Sequence, residues 1–161
     1  MKRSEFYSPR IASTPLEDHY QKQFYSALQV DGLFLSPEFS TTGVKGLGSI
    51  DFYLAPNKWG FEFTKDGRQI SDHYNRFLRN GRYHRWIAEG TFSDWVLLDF
   101  RTTKPTNVYP GKKPKYTLVD AWLIGISDFD HLYHIVFCDN YTLVEVYNHL
   151  LVPVDKFPLL E

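Results

Sequence analysis

Two acidic residues, Asp51 and Glu62, fall in consecutive alternating stretches, SIDFYL and WGFEFT. Ile50, Phe52 and Leu54 alternate with Ser49, Asp51 and Tyr53, and Trp59, Phe61 and Phe63 alternate with Gly60, Glu62 and Thr64, the period of two half-buried strands. With Pro56 and Asn57 in the turn, symmetric pairing sets Leu54 against Trp59, Phe52 against Phe61 and Asp51 against Glu62. Opposed side chains on one sheet face have Cβ atoms about 5 Å apart, and like charges there destabilise the pair. Something must compensate. A divalent cation such as Mg²⁺ or Mn²⁺, held by the two carboxylates with water and phosphate oxygens, is one solution and makes Asp51 and Glu62 candidate metal ligands. A solvated pair, or a pair neutralised by a nearby Lys or Arg, is the other.

The elements around the hairpin follow from punctuation and periodicity. Residues 1–13 form an irregular lead-in. Thr14, Pro15 and Glu17 open a helix as N-cap, first-turn proline and capping-box acid. Leu16, Tyr20, Phe24, Ala27 and Leu28 then recur at helical spacing up to Asp31-Gly32, a stripe that should lie against a sheet. Glu17 stands beside the stripe and either caps the helix or points toward the site. Leu33 to Gly48, with three glycines at 43, 46 and 48, lacks P-loop spacing and is expected to be a loose connection.

A second helix is expected from Ile70 to Leu78, with Ile70, His73, Tyr74, Phe77 and Leu78 inward and Arg68, Asp72, Arg76 and Arg79 outward. His73 is either a hydrogen-bonded core residue or a neighbour of the acids that contacts water or phosphate. After Asn80-Gly81, the cluster Arg82, His84 and Arg85 among Tyr83 and Trp86 suits a surface that grips a nucleic-acid backbone, or an exposed segment whose arginines snorkel over rings. Trp95–Phe100 is a near-continuous apolar run, hence a central strand. Residues 101–115 carry three prolines and five basic residues and form an exposed loop. Tyr116 to Ser127 fits strand or short helix, Leu132–Cys138 and Thr142–Tyr147 pair around Asn140, and the tail VPVDKFPLLE docks by its apolar residues. The sum is an α/β sandwich with a mixed sheet flanked by helices.

A chain of 161 residues that is 43% hydrophobic and 17% aromatic fits one globular domain with a real core. Cys138 is the only cysteine, which excludes an intrachain disulfide and a cysteine zinc cluster, points to a reducing compartment and suits a buried inert thiol. No apolar run reaches the roughly 18 residues of a membrane span, and MKRSEFYSPR lacks a signal-peptide core; no membrane partner is expected. Net charge is −1, unevenly spread: residues 45–115 hold 13 Lys and Arg against 7 Asp and Glu, and residues 116–161 hold 1 against 7. That asymmetry is compatible with a basic face around the acids and an acidic back, and chance also produces it.

An acid on one strand, a second on the next and a basic residue just after it, behind a helix with a first-turn Glu, resemble the PD-(D/E)xK or restriction-endonuclease-like pattern. More narrowly, EFTKDG followed by SDHYNRF, NGRYHRW, SDWVLLDF and YHIVFCDNYTLVEV resembles the nuclease-like domain at the C-terminal end of Crinkler-type effectors. The resemblance covers Pro15 to about Val146. It implies a single nuclease-like domain over residues 1–161 with a restriction-endonuclease-like core, hydrolysing phosphodiesters with Mg²⁺ or Mn²⁺ on Asp51 and Glu62, with Lys65 as the basic catalytic residue; Glu17 and His73, by their own positions near the hairpin, are further catalytic candidates. Arg68, Arg76, Arg79, Arg82 and Arg85 would bind the nucleic acid. The implied partner is DNA or RNA, in the host nucleus if the chain is an effector; a host protein and a homodimer mate stay open, as does a catalytically inactive module of the same fold. The spacing departs from the general pattern: Thr64 stands two residues after Glu62, where the pattern has Lys, and Lys65 three. On a regular strand Lys65 points away from Glu62, so a bulge or strand end at Thr64–Asp66 is needed to turn it back.

Overall fold

The alternating and apolar stretches assemble into one seven-stranded mixed sheet in the order β1 to β7, seen in a computed structural model. It describes residues 17–30, 33, 35–40, 48–109, 130–138 and 142–158. The lead-in, the Thr14 cap, the Asp31-Gly32 stop, Gly43 and Gly46, the end of the basic loop, residues 116–127 and the Asn140 turn lie outside them.

Helix α1 (Glu17–Val30) lays its aromatic stripe on the sheet formed by β1 (Leu35–Phe39), β2 (Ile50–Leu54), β3 (Trp59–Lys65), β4 (Asp94–Arg101), β5 (Leu132–Cys138), β6 (Leu143–Asn148) and β7 (Pro153–Pro158). Tyr20 stacks on Phe100 at 4.9 Å and on Phe137 at 5.3 Å, and Phe24 meets Phe63 edge-on at 5.0 Å. These rings anchor one core layer with Phe52, Leu54 and Phe61. The short helices α2 (Ile70–Asn75) and α3 (His84–Ala88) cover the opposite face, where Ile70, Tyr74, Phe77, Tyr83 and Trp86 pack against Trp95 and Leu97. Helices on both faces of a mixed sheet make the architecture α/β, as the pattern predicts.

Strands β3, β4 and β5 are parallel, and the pairs on either side of them are antiparallel. The Trp95–Phe100 run is the fourth strand of seven, with a neighbour on each side, which accounts for its continuous apolar character.

Three segments differ from their sequence expectation. The stretch after Leu33 is not merely a connection: Leu35–Phe39 is an edge strand, a position that tolerates Pro37. The second helix stops at Asn75 and not at Leu78. The tail joins the sheet as β7 through its backbone ladder with β6, and Val152, Val154 and Phe157 remain exposed where docking by apolar side chains is predicted.

Alternation also fails at one place, on β2. Phe52 and Leu54 pack on the α1 side, yet Ile50 packs with Tyr83 and Trp86 on the other. Its ladder partner Phe39 makes the same change beside Glu38, whose φ of 48° lies in the left-handed region, and stacks on Tyr53 at 4.3 Å. Asp51 sits where the strand twists over.

Candidate functional site

Asp51 and Glu62 come together, but not as a ladder pair. The β2–β3 ladder runs from Leu54↔Trp59 to Phe52↔Phe61 and ends one step short of the acids. Beyond it the Phe63 N–H donates to Asp51 Oδ2 at 2.7 Å, so a carboxylate continues the hydrogen bonding where the strands part. Burial, reinforced by the negative charges of Glu62 and Glu17 and partly offset by the Phe63 N–H, pushes Asp51 up to about 7.

Glu62 is 1% exposed, and both of its oxygens are engaged. Arg76 Nη1 donates to Oε1, and His73 Nδ1 stands 2.9 Å from the same oxygen in an electrostatic contact too bent for a hydrogen bond. The Tyr83 hydroxyl lies 3.1 Å from Oε2 and 2.6 Å from the Ser49 carbonyl. Burial and the Glu62 charge raise the Tyr83 phenol, so it stays protonated as a donor. Tyr83 reaches this point because Gly81 lets the chain close on the end of α2: a Cβ at Gly81 would fall 2.1 Å from the Asn75 carbonyl oxygen. The Tyr83 N–H donates to the Arg76 carbonyl at 2.6 Å, so one closed turn carries both residues that hold Glu62.

Glu17, at the start of α1, belongs to the same neighbourhood. Its carboxyl is raised by burial and by Glu62, against the lowering influence of His73, Arg68 and Arg76. With Thr64, Arg68, Gln69 and His73 it lines an open cleft of about 490 Å³ at the C-terminal end of β3, where α/β sheets commonly bind ligands. Thr64 donates its hydroxyl to the Arg68 carbonyl, which fixes that rim.

Lys65 does not join the acids. The β3–β4 ladder is unbroken from Trp59↔Asp94 to Lys65↔Phe100, so no bulge turns Lys65 back and it shares the α1 side with Phe61 and Phe63. Its Nζ lies 3.9 Å from Asp66 Oδ2. The sharp bend comes one residue later, at Asp66 and Gly67 with φ of 53° and 73°, and it aims Arg68 rather than Lys65 at the cleft.

The five arginines assigned to nucleic acid separate. Arg68 lines the cleft, and Arg76, expected on the outer face, turns inward to Glu62. Arg79 is exposed away from the cleft lining. Arg82 rests its guanidinium against the backbone of Gly48, and Arg85 Nε pairs with Glu89 at 2.6 Å.

Sequence reasoning passed over a buried polar cluster beside the cleft. Asp99 and His134, neighbours across β4 and β5, are both 0% exposed. Asp99 Oδ1 accepts the Gly67 N–H at 2.8 Å, while Oδ2 accepts Arg101 Nε and lies 2.8 Å from His134 Nδ1. The cluster pins the bend that presents Arg68 and Gln69. Glycine is favoured there by its φ of 73°, which residues with a side chain rarely adopt, and a Cβ at residue 67 would also push on the Arg101 guanidinium. An Asp inside VLLDF and a His inside YHIVF were the available signals: a charge within an apolar strand needs partners.

The acids offer a hard divalent cation the oxygen donors and negative charge it requires. In the present arrangement Glu62 is occupied by Arg76, His73 and Tyr83, and among the described residues no group of three or more His, Cys, Asp or Glu stands at metal-ligating separation. No helix among the described residues is long and apolar enough to cross a membrane. Comparison with protein-family models, with curated proteins and with solved structures returns no match.

Proposed function

We propose that this chain is a divalent-metal-dependent nuclease domain with a restriction-endonuclease-like core, hydrolysing phosphodiester bonds in DNA, of the type found at the C-terminal end of Crinkler-type effectors. The observation that carries the proposal is the convergence of three carboxylates from three separate elements, Glu17 of α1, Asp51 of β2 and Glu62 of β3, on one electrostatic neighbourhood beside a cleft. The Glu62 charge helps raise the pKa of both Asp51 and Glu17, and acids perturbed in this way beside a cleft are a mark of a functional site.

Asp51 and Glu62 would hold Mg²⁺ or Mn²⁺, which supplies polarisation of the phosphoryl group and a lowered pKa for the attacking water. Arg68, on the cleft rim, binds and orients the phosphate, since a guanidinium matches phosphate oxygens in a bidentate fork. His73, which stands by Glu62 and lines the cleft, would exchange a proton with a water or a leaving oxygen. Glu17 adds negative charge at the cleft mouth and favours cation entry.

The test is incubation of the purified chain with plasmid DNA and with RNA, with and without Mg²⁺ or Mn²⁺, beside Asp51→Ala and Glu62→Ala. Metal-dependent cleavage lost in both variants is the expected result. Cleavage that survives both substitutions, or that never appears on either polymer, overturns the proposal.

A second reading, a non-catalytic module that binds nucleic acid, is favoured by Lys65 lying on the far side of the sheet. It predicts a salt-dependent shift of DNA without cleavage.

A further inference from the structure

Glu62 cannot serve a cation while a guanidinium sits on it. Oε1 accepts from Arg76 and stands against His73, and Oε2 faces the Tyr83 hydroxyl. A divalent ion brought to this carboxylate would meet the positive charge of Arg76 at close range, and the two compete for the same oxygen.

Arg76 is also built to leave. It is the C-cap of α2, with its N–H bonded back to the His73 carbonyl, the following Phe77 N–H bonded to the Tyr74 carbonyl, and its own carbonyl taken by the Tyr83 N–H. Its backbone is therefore fixed, and only side-chain rotation is needed to move the guanidinium. Its side chain is 27% exposed against 2% for that of Glu62, so the head group stands at the boundary between the buried acid and solvent. His73, which shares Glu62 Oε1 with it, lines the cleft together with Arg68. A phosphodiester seated in the cleft would offer Arg76 a bidentate anionic partner in place of a carboxylate.

We infer that Arg76 is a positioning residue that couples the two ligands of this site: it neutralises Glu62 in the free protein, and a nucleic-acid phosphate draws it off and releases Glu62 to a divalent cation. The inference rests on the nuclease reading above. Because coupling between two binding events is reciprocal, the phosphodiester tightens metal binding by the same factor as the metal tightens phosphodiester binding. Without nucleic acid the site holds metal weakly, which guards against idle occupancy.

The test measures Mn²⁺ binding to the full chain by the paramagnetic resonance signal of free Mn²⁺, with and without a short phosphorothioate DNA duplex that resists cleavage. In the wild-type chain the duplex should tighten Mn²⁺ binding about tenfold, within the range of ordinary coupling. Arg76→Gln should bind Mn²⁺ without DNA as tightly as wild type does with it, and the duplex should add nothing further. Glu62→Gln should show no coupling.

Wild-type Mn²⁺ affinity that is indifferent to the duplex overturns the inference, and this arm needs no folded variant. Unchanged Mn²⁺ affinity in a folded Arg76→Gln protein overturns it as well. In either case, if metal-dependent cleavage persists, the nuclease reading stands. Absence of Mn²⁺ binding from every protein, together with absence of cleavage, removes both.

Discussion

Arg76 and His73 approach the same oxygen of Glu62, the first as a hydrogen-bond donor and the second at 2.9 Å. Glu62 is thus compensated, in the free protein, by a nearby arginine. Asp51 has no such partner. Its carboxylate accepts only the Phe63 N–H among the described residues, and the burden of two negative neighbours falls on it.

That asymmetry predicts how stability depends on pH. Asp51 is raised from 3.8 to about 7, so the folded state binds the proton more tightly than the unfolded one. Its stabilising contribution is complete below the unfolded value and is lost as pH rises through the folded value. Asp51→Asn keeps an acceptor for Phe63 and removes the charge. At pH 8 it should be more stable than wild type by at most about 4 kcal/mol, a gain that fades toward pH 4. Urea denaturation at both pH values checks this; a constant difference would show that Asp51 titrates normally.

Tyr83→Phe should destabilise the fold by about 1–3 kcal/mol, because the Ser49 carbonyl and Glu62 lose a buried donor together. The ring stack of Tyr83 on Trp86 at 5.1 Å is kept. Chemical denaturation measures the loss.

Asp99→Ala strands the Gly67 N–H, Arg101 and His134 at once, with His134 fully buried and the other two partly so. A cost of about 3–5 kcal/mol is expected, with faster hydrogen exchange at Gly67. Loss below 1 kcal/mol would show that water takes over these contacts.

If the chain is the nuclease proposed above, Lys65→Met should leave metal-dependent cleavage unchanged, because Lys65 lies across the sheet from Glu62. Abolition of cleavage in a folded Lys65→Met protein would show that the strand rearranges in the loaded state.

On the proposed function, Arg68→Ala, on the cleft rim, should weaken binding to DNA of any sequence and reduce the salt slope of that binding by about one. Fluorescence anisotropy across a salt series measures both. Arg85→Ala should change neither, since its charge is already paired with Glu89 on an exposed helix.

Much of the frame was legible because its elements carry a local period. Trp59–Lys65 reads as a strand by alternation, Trp95–Phe100 by its apolar run and α1 by its aromatic stripe, and each takes that form. What alternation missed was the twist at Glu38 and Asp51, where Phe39 and Ile50 exchange faces. That exchange follows from two neighbouring strands and has no sign in either alone. The same holds for Arg76: at helical spacing it falls outside the stripe, but the helix ends at Asn75 and frees it to turn in. Tyr83 and Asp99 act through partners 21 and 32 positions away, distances over which local pattern says nothing.

The outer rim of β7 carries a consequence for how copies of this chain behave at high concentration. Val152, Val154 and Phe157 are exposed beside a strand edge that has no partner among the described residues, the usual recipe for one sheet extending onto another. Pro153 and Pro158 close both ends of that strand without an N–H, and Asp155 and Lys156 place charge between them. A foreign strand finds an unbroken edge only from Val154 to Phe157, less than the about 5–6 residues of an ordinary strand. The greasy rim is tolerated because the backbone beside it has been made a poor template.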